Sequence, residues 1–234
     1  MVLPRLYAIL DAGCFPNTQA LLAAAEDLVS GGVTLLQYRN KSGNARVMLE
    51  QARELRRLFS HPNAAKDAAL GRGTHSQSPP PVAKSATRMG QPSVRLIMND
   101  RADLCLAAEF DGLHVGQEDL SPESVRKIIG PERWLGVSTH NPEQLREADL
   151  TAADYLAIGP VFATSSKERP DLVVGLEGVR RARQLTRKPL VAIGGITRAN
   201  AASVIEAGAD SVAVISDLLR DPRKSAEEFL RILR

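Results

Sequence analysis

Residues 97–120, IMNDRADLCLAAEFDGLHVGQEDL, carry two apolar runs that each end in polar, charged residues. The first closes on Asn99-Asp100-Arg101 and the second on Gly116-Gln117-Glu118-Asp119, so that two acids stand 19 residues apart. The helix-forming ADLCLAAEF between them is long enough to cross back over a sheet. Strand, helix and strand make one parallel unit, with each acid just past the carboxyl end of a strand. The acids are either solvated loop residues or a pair brought together to hold something.

The same unit recurs outward in both directions. Strand-length apolar runs fall at LYAIL (6–10), VTLLQY (33–38), VRLIM (94–98), GLHVG (112–116), WLGVS (134–138), YLAIG (155–159), PLVAIG (189–194) and SVAVIS (211–216). Most are apolar on both faces, as parallel strands buried between a core and covering helices must be. Amphipathic segments alternate with them. Asn17-Thr18 open one whose Leu21, Leu22, Ala25, Leu28 and Val29 share a face, and Gly31-Gly32 stop it. Ser121-Pro122, Asn141-Pro142 and Asp221-Pro222 each supply an N-cap followed by proline at the first helical position. Eight such strands with intervening helices predict an α/β fold, a single (β/α)8 TIM barrel spanning residues 1–234. An open doubly wound sheet is the alternative, weakened because no G-x-G-x-x-G follows the first strand.

Composition agrees with one globular domain: 234 residues, 44% hydrophobic and 24% charged. Aromatics are only 4%, so aliphatic residues must build the core. Residues 61–93 break the rhythm with a PPP run at 79–81, several Ser and Gly, and no aromatic, and they read as a disordered insert. The insert falls between a helix and the next strand, which puts it on the amino-terminal face of the barrel. It also carries Lys66, Arg72, Lys84 and Arg88 against Asp67 alone, enough to account for the whole chain's net +3. The pI of about 9.0 is therefore local in origin, and without an aromatic-laced basic face no nucleic-acid partner is expected. No window approaches the roughly 18 apolar residues of a membrane span, and the opening MVLPRLYAILDAG is too short and too charged for a signal peptide. Cys14 and Cys105 form neither a disulfide framework nor a metal-ligand spacing, so a cytoplasmic home without membrane contact is expected. A homo-oligomer stays open.

Barrels of this kind place chemistry at the carboxyl ends of their strands. Those positions hold Gln37-Tyr38-Arg39-Asn40-Lys41, Asn99-Asp100-Arg101, Gln117-Glu118-Asp119, Ser138-Thr139-His140, the run from Gly159 through Thr164, Ser165, Ser166 and Lys167, then Gly194-Gly195 and Ile215-Ser216. Asp100 and Asp119, on neighbouring strands, suit Mg2+, which keeps waters and completes its octahedron with substrate phosphates. Arg39, Lys41 and Lys167 would favour a polyphosphate. Alternatively, each Asp simply caps a helix or faces solvent. Backbone N–H groups of Gly194-Gly195 and Ile215-Ser216 could cradle a monophosphate, unless the glycines only make a tight turn. His114 reads as a packed, hydrogen-bonded strand histidine. His140 serves either as an acid–base group or as the lead-in to the Asn141 cap. Ser138 lacks an Asp/His relay or a nucleophile elbow, and its hydroxyl is better suited to contacting a ligand.

Taken in order, QYRNK, NDR, DGLHVGQED, GVSTH, GPVFATSSK, AIGGIT and AVIS resemble the thiamine phosphate synthases, over nearly all the chain outside 61–93. That resemblance implies Mg-dependent coupling of hydroxymethylpyrimidine diphosphate to a thiazole phosphate or its carboxylated form, giving thiamine monophosphate and diphosphate. It implies that Gln37, Tyr38, Arg39, Asn40 and Lys41, with Asn99, Ser138 and Lys167, hold the pyrimidine diphosphate. Arg39, Lys41, Ser138 and Lys167 are then the catalytic group and Asp100 and Asp119 the metal ligands. Thr164, Ser165 and Ser166 correspond to the loop receiving the thiazole phosphate, and Gly195, Ile215 and Ser216 to its cradle. Ser166 stands where a second Thr is usual, and Tyr38 where Leu is commoner. A thiazole tautomerase using His140 and a non-catalytic barrel that binds thiamine precursors are the rival readings; the complete Gly116-Gln117-Glu118-Asp119 element argues against the first.

Overall fold

The computed structural model describes residues 1–59, 93–164 and 172–234. The expected insert, apart from Ser93, lies outside these residues, as do Ser165, Ser166 and Lys167. Eight parallel strands close into a barrel in sequence order: β1 (Leu6–Asp11), β2 (Leu35–Arg39), β3 (Arg95–Asn99), β4 (Gly112–Val115), β5 (Trp134–Thr139), β6 (Tyr155–Ile158), β7 (Leu190–Ile193) and β8 (Ser211–Val214). β1 pairs with β8 through Tyr7 opposite Ala213, which leaves no open edge. Around it run α1 (Thr18–Ser30), α2 (Ala45–Phe59), α3 (Ala102–Ala107), α4 (Pro122–Ile129), α5 (Pro142–Asp149), α6 (Gly175–Leu185), α7 (Ala201–Glu206) and α8 (Pro222–Ile232). The predicted barrel is the observed one.

The caps read from sequence start the helices they were assigned to. Asn17 accepts from Ala20 N at 2.9 Å and Asn141 from Gln144 N at 2.9 Å. Ser121 and Asp221 cap at 3.3 Å, each ahead of its proline. Along every strand side chains alternate between two apolar layers. The outer layer joins Leu10, Leu36, Met98, Leu113 and Leu156 to the helices, whereas Tyr7, Ile9, Leu35, Ile97, Tyr155 and Val191 pack inside the barrel. Leu, Ala and Val dominate the first, and the second combines two tyrosines with aliphatic residues and alanines.

The amino-terminal face carries a device repeated every second unit. Asp111, Asp154 and Asp210, each just before a strand, give their backbone N–H to the carbonyl of Leu96, Leu135 or Leu190 on the preceding strand. Their carboxylates accept the N–H of those same leucines at 2.7, 2.7 and 2.8 Å. Arg56, Arg126 and Arg183, from the helix before that strand, pair with the three acids at 3.0, 2.6 and 2.8 Å. Each clamp thus ties two strands and a helix through charge-assisted bonds at the end of the barrel remote from the carboxyl ends.

Candidate active site

The carboxyl ends of β1 to β5 and the turns after β7 and β8 converge on the opposite face. Arg39, the last residue of β2, forms an ion pair with Asp11 at the end of β1, their side chains 23% and 12% exposed. The other Asp11 oxygen accepts from Gly13 N at 3.0 Å, so both partners are held. Asp11 was missed in the sequence reading because the inventory of strand ends began at β2; an acid closing an apolar first strand was the available signal.

Asp100 follows β3 with φ of +60°, a conformation uncommon for a residue with a side chain. Its N–H is bound to the His114 carbonyl at 2.8 Å, which fixes the turn against β4. Lys41 reaches across from β2 to pair with the Asp100 carboxylate. Burial lifts that carboxyl above its ordinary range; Lys41 opposes the shift and the nearby Asp119 charge adds to it. Asp119 itself accepts from Gly116 N at 2.7 Å. The two acids predicted to meet do so, with a lysine beside them.

Ser138 on β5 lies with its hydroxyl 2.8 Å from His114 Nε2. The other ring nitrogen of His114 meets the Tyr155 hydroxyl at 3.1 Å, not a carboxylate. A serine whose histidine has no acid behind it is poorly equipped as a nucleophile. Burial holds the His114 imidazole down to about 4, against the opposing pull of Asp119. His114 is therefore the packed, hydrogen-bonded strand histidine expected. His140 directs Nδ1 at the Gly159 carbonyl, 2.7 Å away, and its backbone N–H at Gln144 Oε1, 2.8 Å away, which makes it part of the lead-in to α5.

Gln37 points into the barrel and donates to the Tyr7 hydroxyl at 2.9 Å. Tyr38 and Asn40 do not turn their side chains to the mouth. Both bond Gln51 of α2 in the outer layer, at 2.6 and 3.0 Å, because odd and even strand positions face opposite ways. Asn99 closes β3 beside Asp100. Gly194 and Gly195 have φ of +98° and +63°, and a Cβ on them would lie 2.5 Å from Pro160 Cβ and 2.6 Å from the Ala163 carbonyl. The turn thus needs glycine for both conformation and close approach. Asn200 holds the Gly195 carbonyl at 3.1 Å, and Arg198 N bonds Asp217 at 2.9 Å, which joins this turn to the Ile215-Ser216 turn after β8. Thr164 lies in the loop after β6, immediately before residues 165–171, which fall outside the described residues. Among the described residues no helix is long and apolar enough to cross a membrane, and no cluster of three His, Cys, Asp or Glu side chains occurs.

The chain as a whole has counterparts among known proteins. The family model described as thiamine monophosphate synthase matches residues 6–66 and 81–218. The thiamine-phosphate synthase of Koribacter versatilis is 56% identical over 234 residues, spanning 99% of this chain and 96% of the relative. That of Chloroflexus aurantiacus is 40% identical over 230 residues, spanning 98% and 92%. Among solved structures, a thiamine phosphate pyrophosphorylase from Pyrococcus furiosus superposes with a TM-score of 0.75 at 31% identity, over 98% of this chain and 95% of that one. Similarity of this depth along the whole barrel, rather than at isolated motifs, places the chain in the thiamine monophosphate synthase family, as an enzyme of that type.

Proposed function

We propose that this enzyme couples 4-amino-2-methyl-5-hydroxymethylpyrimidine diphosphate to 4-methyl-5-(2-phosphoethyl)thiazole, or to its carboxylated form with loss of carbon dioxide, releasing diphosphate and giving thiamine monophosphate. The observation that carries the reading is the meeting of Asp100, Asp119 and Lys41 beside the Asp11-held Arg39. Two close carboxylates, one of them half-buried and raised, favour an added cation, and the small donor set they form among the described residues fits Mg2+, whose remaining positions water and substrate phosphates would fill. When bound, that ion supplies charge neutralisation to the diphosphate.

The residues of the chain do the rest. Asp100 and Asp119 would hold the ion, and Lys41, which pairs with Asp100, would then engage the phosphate oxygens. Arg39, with Lys167 from outside the described residues, faces the negative charge that grows as the pyrimidine C–O bond breaks and the diphosphate leaves with the electron pair. The electron-rich aminopyrimidine stabilises the benzyl-like cation, and the thiazole nitrogen lone pair forms the new C–N bond. Gln37, Asn99 and Ser138 orient the pyrimidine. Tyr38 and Asn40, turned outward, tie the β2 end to Gln51 of α2. Thr164, Ser165, Ser166, Gly195, Ile215 and Ser216 bind the thiazole phosphate. No protein nucleophile is required, in keeping with a Ser138–His114 pair that ends on a tyrosine.

The test is incubation with both phosphorylated precursors, with and without Mg2+, assaying coupled product. Coupling should need the metal, and Asp100→Ala should lower kcat/KM at least about 100-fold, the size of loss expected when charge stabilisation at a leaving group is removed. Unchanged magnesium-dependent turnover by Asp100→Ala, or isomerised thiazole without coupled product, sinks the assignment.

A further inference from the structure

Five polar side chains from five strands cross the barrel interior in a single file. Gln37 Nε2 lies 2.9 Å from Tyr7 Oη, Tyr7 Oη 2.9 Å from Tyr155 Oη, Tyr155 Oη 3.1 Å from His114 Nδ1, and His114 Nε2 2.8 Å from Ser138 Oγ. The two rings of the tyrosine pair meet edge to face at 6.1 Å, and both tyrosines are about 1% exposed or less. Both ends are residues assigned to the mouth; the three middle members are not.

Counting donors leaves little freedom. A buried hydroxyl has one proton and must spend it on an acceptor. With the Gln37 amide N–H donating to Tyr7, the Tyr7 proton has only Tyr155 to go to. Tyr155 then accepts from Tyr7 and spends its own proton on His114 Nδ1. That nitrogen must be bare, so the ring proton sits on Nε2 and goes to Ser138 Oγ. A protonated Nδ1, in the neutral or the cationic ring, would make Tyr155 donate back to Tyr7 and strand the Tyr7 proton without an acceptor. The file therefore runs in one sense from end to end. We propose that Tyr7, Tyr155 and His114 are positioning residues whose directional hydrogen-bond chain makes Ser138 present its O–H, and Gln37 its Oε1, to a ligand at the mouth. The effect of breaking the middle is felt at the ends: without Tyr155 Oη, the His114 tautomer is no longer dictated and Ser138 is free to turn its proton inward. The functional half of this inference rests on the pyrimidine-binding role given to Gln37 and Ser138 above; the tautomer does not.

Two measurements on the full chain test it. In protein labelled with 15N-histidine, His114, identified by its absence in His114→Gln, should show a protonated Nε2 and a bare Nδ1, and Tyr155→Phe should shift the Nδ1 resonance. A protonated Nδ1 overturns the proposal whatever the enzyme catalyses. In the coupling assay, Tyr155→Phe should lower kcat/KM for the pyrimidine diphosphate about tenfold and leave KM for the thiazole phosphate unchanged. In a Ser138→Ala background the same change should cost nothing further, since its route is already cut. An equal loss in both backgrounds marks Tyr155 as merely structural and overturns the positioning role. Tyr7→Phe, cutting the file one step away, should repeat the pattern. Absence of coupled product from the unaltered enzyme would remove the functional reading and leave the nitrogen resonances to decide the chain.

Discussion

Gly136 sits on β5 between Trp134 and Ser138, facing inward, and the space it leaves is occupied. A Cβ there would stand 2.1 Å from Tyr155 Cζ, 2.4 Å from Tyr155 Cε2 and 2.4 Å from His114 Nδ1. Carbon atoms pack at about 3.5 Å or more, so Gly136→Ala must displace the tyrosine ring or the strand by roughly 1.4 Å. Overpacking of that kind costs about 1–3 kcal/mol, and a hydroxyl pulled from its partners costs about 1–3 kcal/mol more. Partial relaxation by the ring brings the expected total to about 3 kcal/mol. For a barrel of this size that lowers the melting midpoint by roughly 6–12 °C. Because the displaced atoms are the ones bonded to Ser138 through His114, kcat/KM for coupling should fall as well, even at temperatures where the variant is folded. Differential scanning calorimetry and steady-state kinetics at 20–25 °C, well below the midpoint, separate the two effects. A variant melting within about 2 °C of the parent with unchanged kcat/KM would refute the steric argument and, with it, the tight seating of the tyrosine–histidine pair.

The clamps and the cysteines give two further tests. Asp154→Ala orphans the buried Leu135 N–H and takes a charged partner from Arg126, which keeps the Gly130, Arg133 and Ala152 carbonyls; stability should drop by about 2–3 kcal/mol in urea titration. The clamp is on the amino-terminal face, so kcat should stay within about twofold, and a large kcat loss without destabilisation would contradict the division of labour between the faces. Burial pushes the Cys105 thiol up to about 12, whereas Cys14 is exposed, raised by partial burial and by the Asp11 charge. A disulfide reagent at pH 8 should therefore titrate one thiol in the folded protein and two in denaturant, since the thiolate is the reactive form. Rapid reaction of both in the folded state would contradict the buried placement.

The barrel was legible because its signals are local. Parallel strands buried on both sides leave uninterrupted apolar runs, and Asn17, Ser121, Asn141 and Asp221 cap their helices through bonds three residues away. Asp100 and Asp119 were found by the same logic, since a strand–helix–strand unit puts consecutive strand ends side by side. What escaped was long-range or hidden by residue type. Tyr7 and Tyr155, 148 positions apart, read as ordinary apolar strand residues, and only the closed register brings their hydroxyls together. The Asp11–Arg39 pair was missed by omission of a strand end. Tyr38 and Asn40, implied by the resemblance to hold the pyrimidine diphosphate, turn outward instead, where Gln51 offers both of them one acceptor. The Asp of FDG, ADY and ADS, repeated before β4, β6 and β8, was present in the sequence as a two-unit period but unreadable as a clamp without the arginines that answer it.

These placements explain why the acids that opened the reading need the rest of the barrel. Asp100 has three separate costs where it stands: a left-handed backbone, burial, and a like charge on Asp119. Lys41 offsets part of them, yet it is more than half exposed and bound at a surface where ion pairs are weak. A local arrangement of this kind survives only if the surrounding structure determines it. The His114 carbonyl does so by holding the Asp100 N–H, while the same residue's ring is locked between Tyr155 and Ser138. One strand residue thus anchors the strained acid by its backbone and the interior file by its side chain. The amino-terminal clamps keep the adjacent strands in register, so that β3 and β4 cannot slip relative to each other and release the turn. Strain is concentrated at the mouth, on Asp100, and the charge-assisted clamps that hold the strands in register lie at the opposite end.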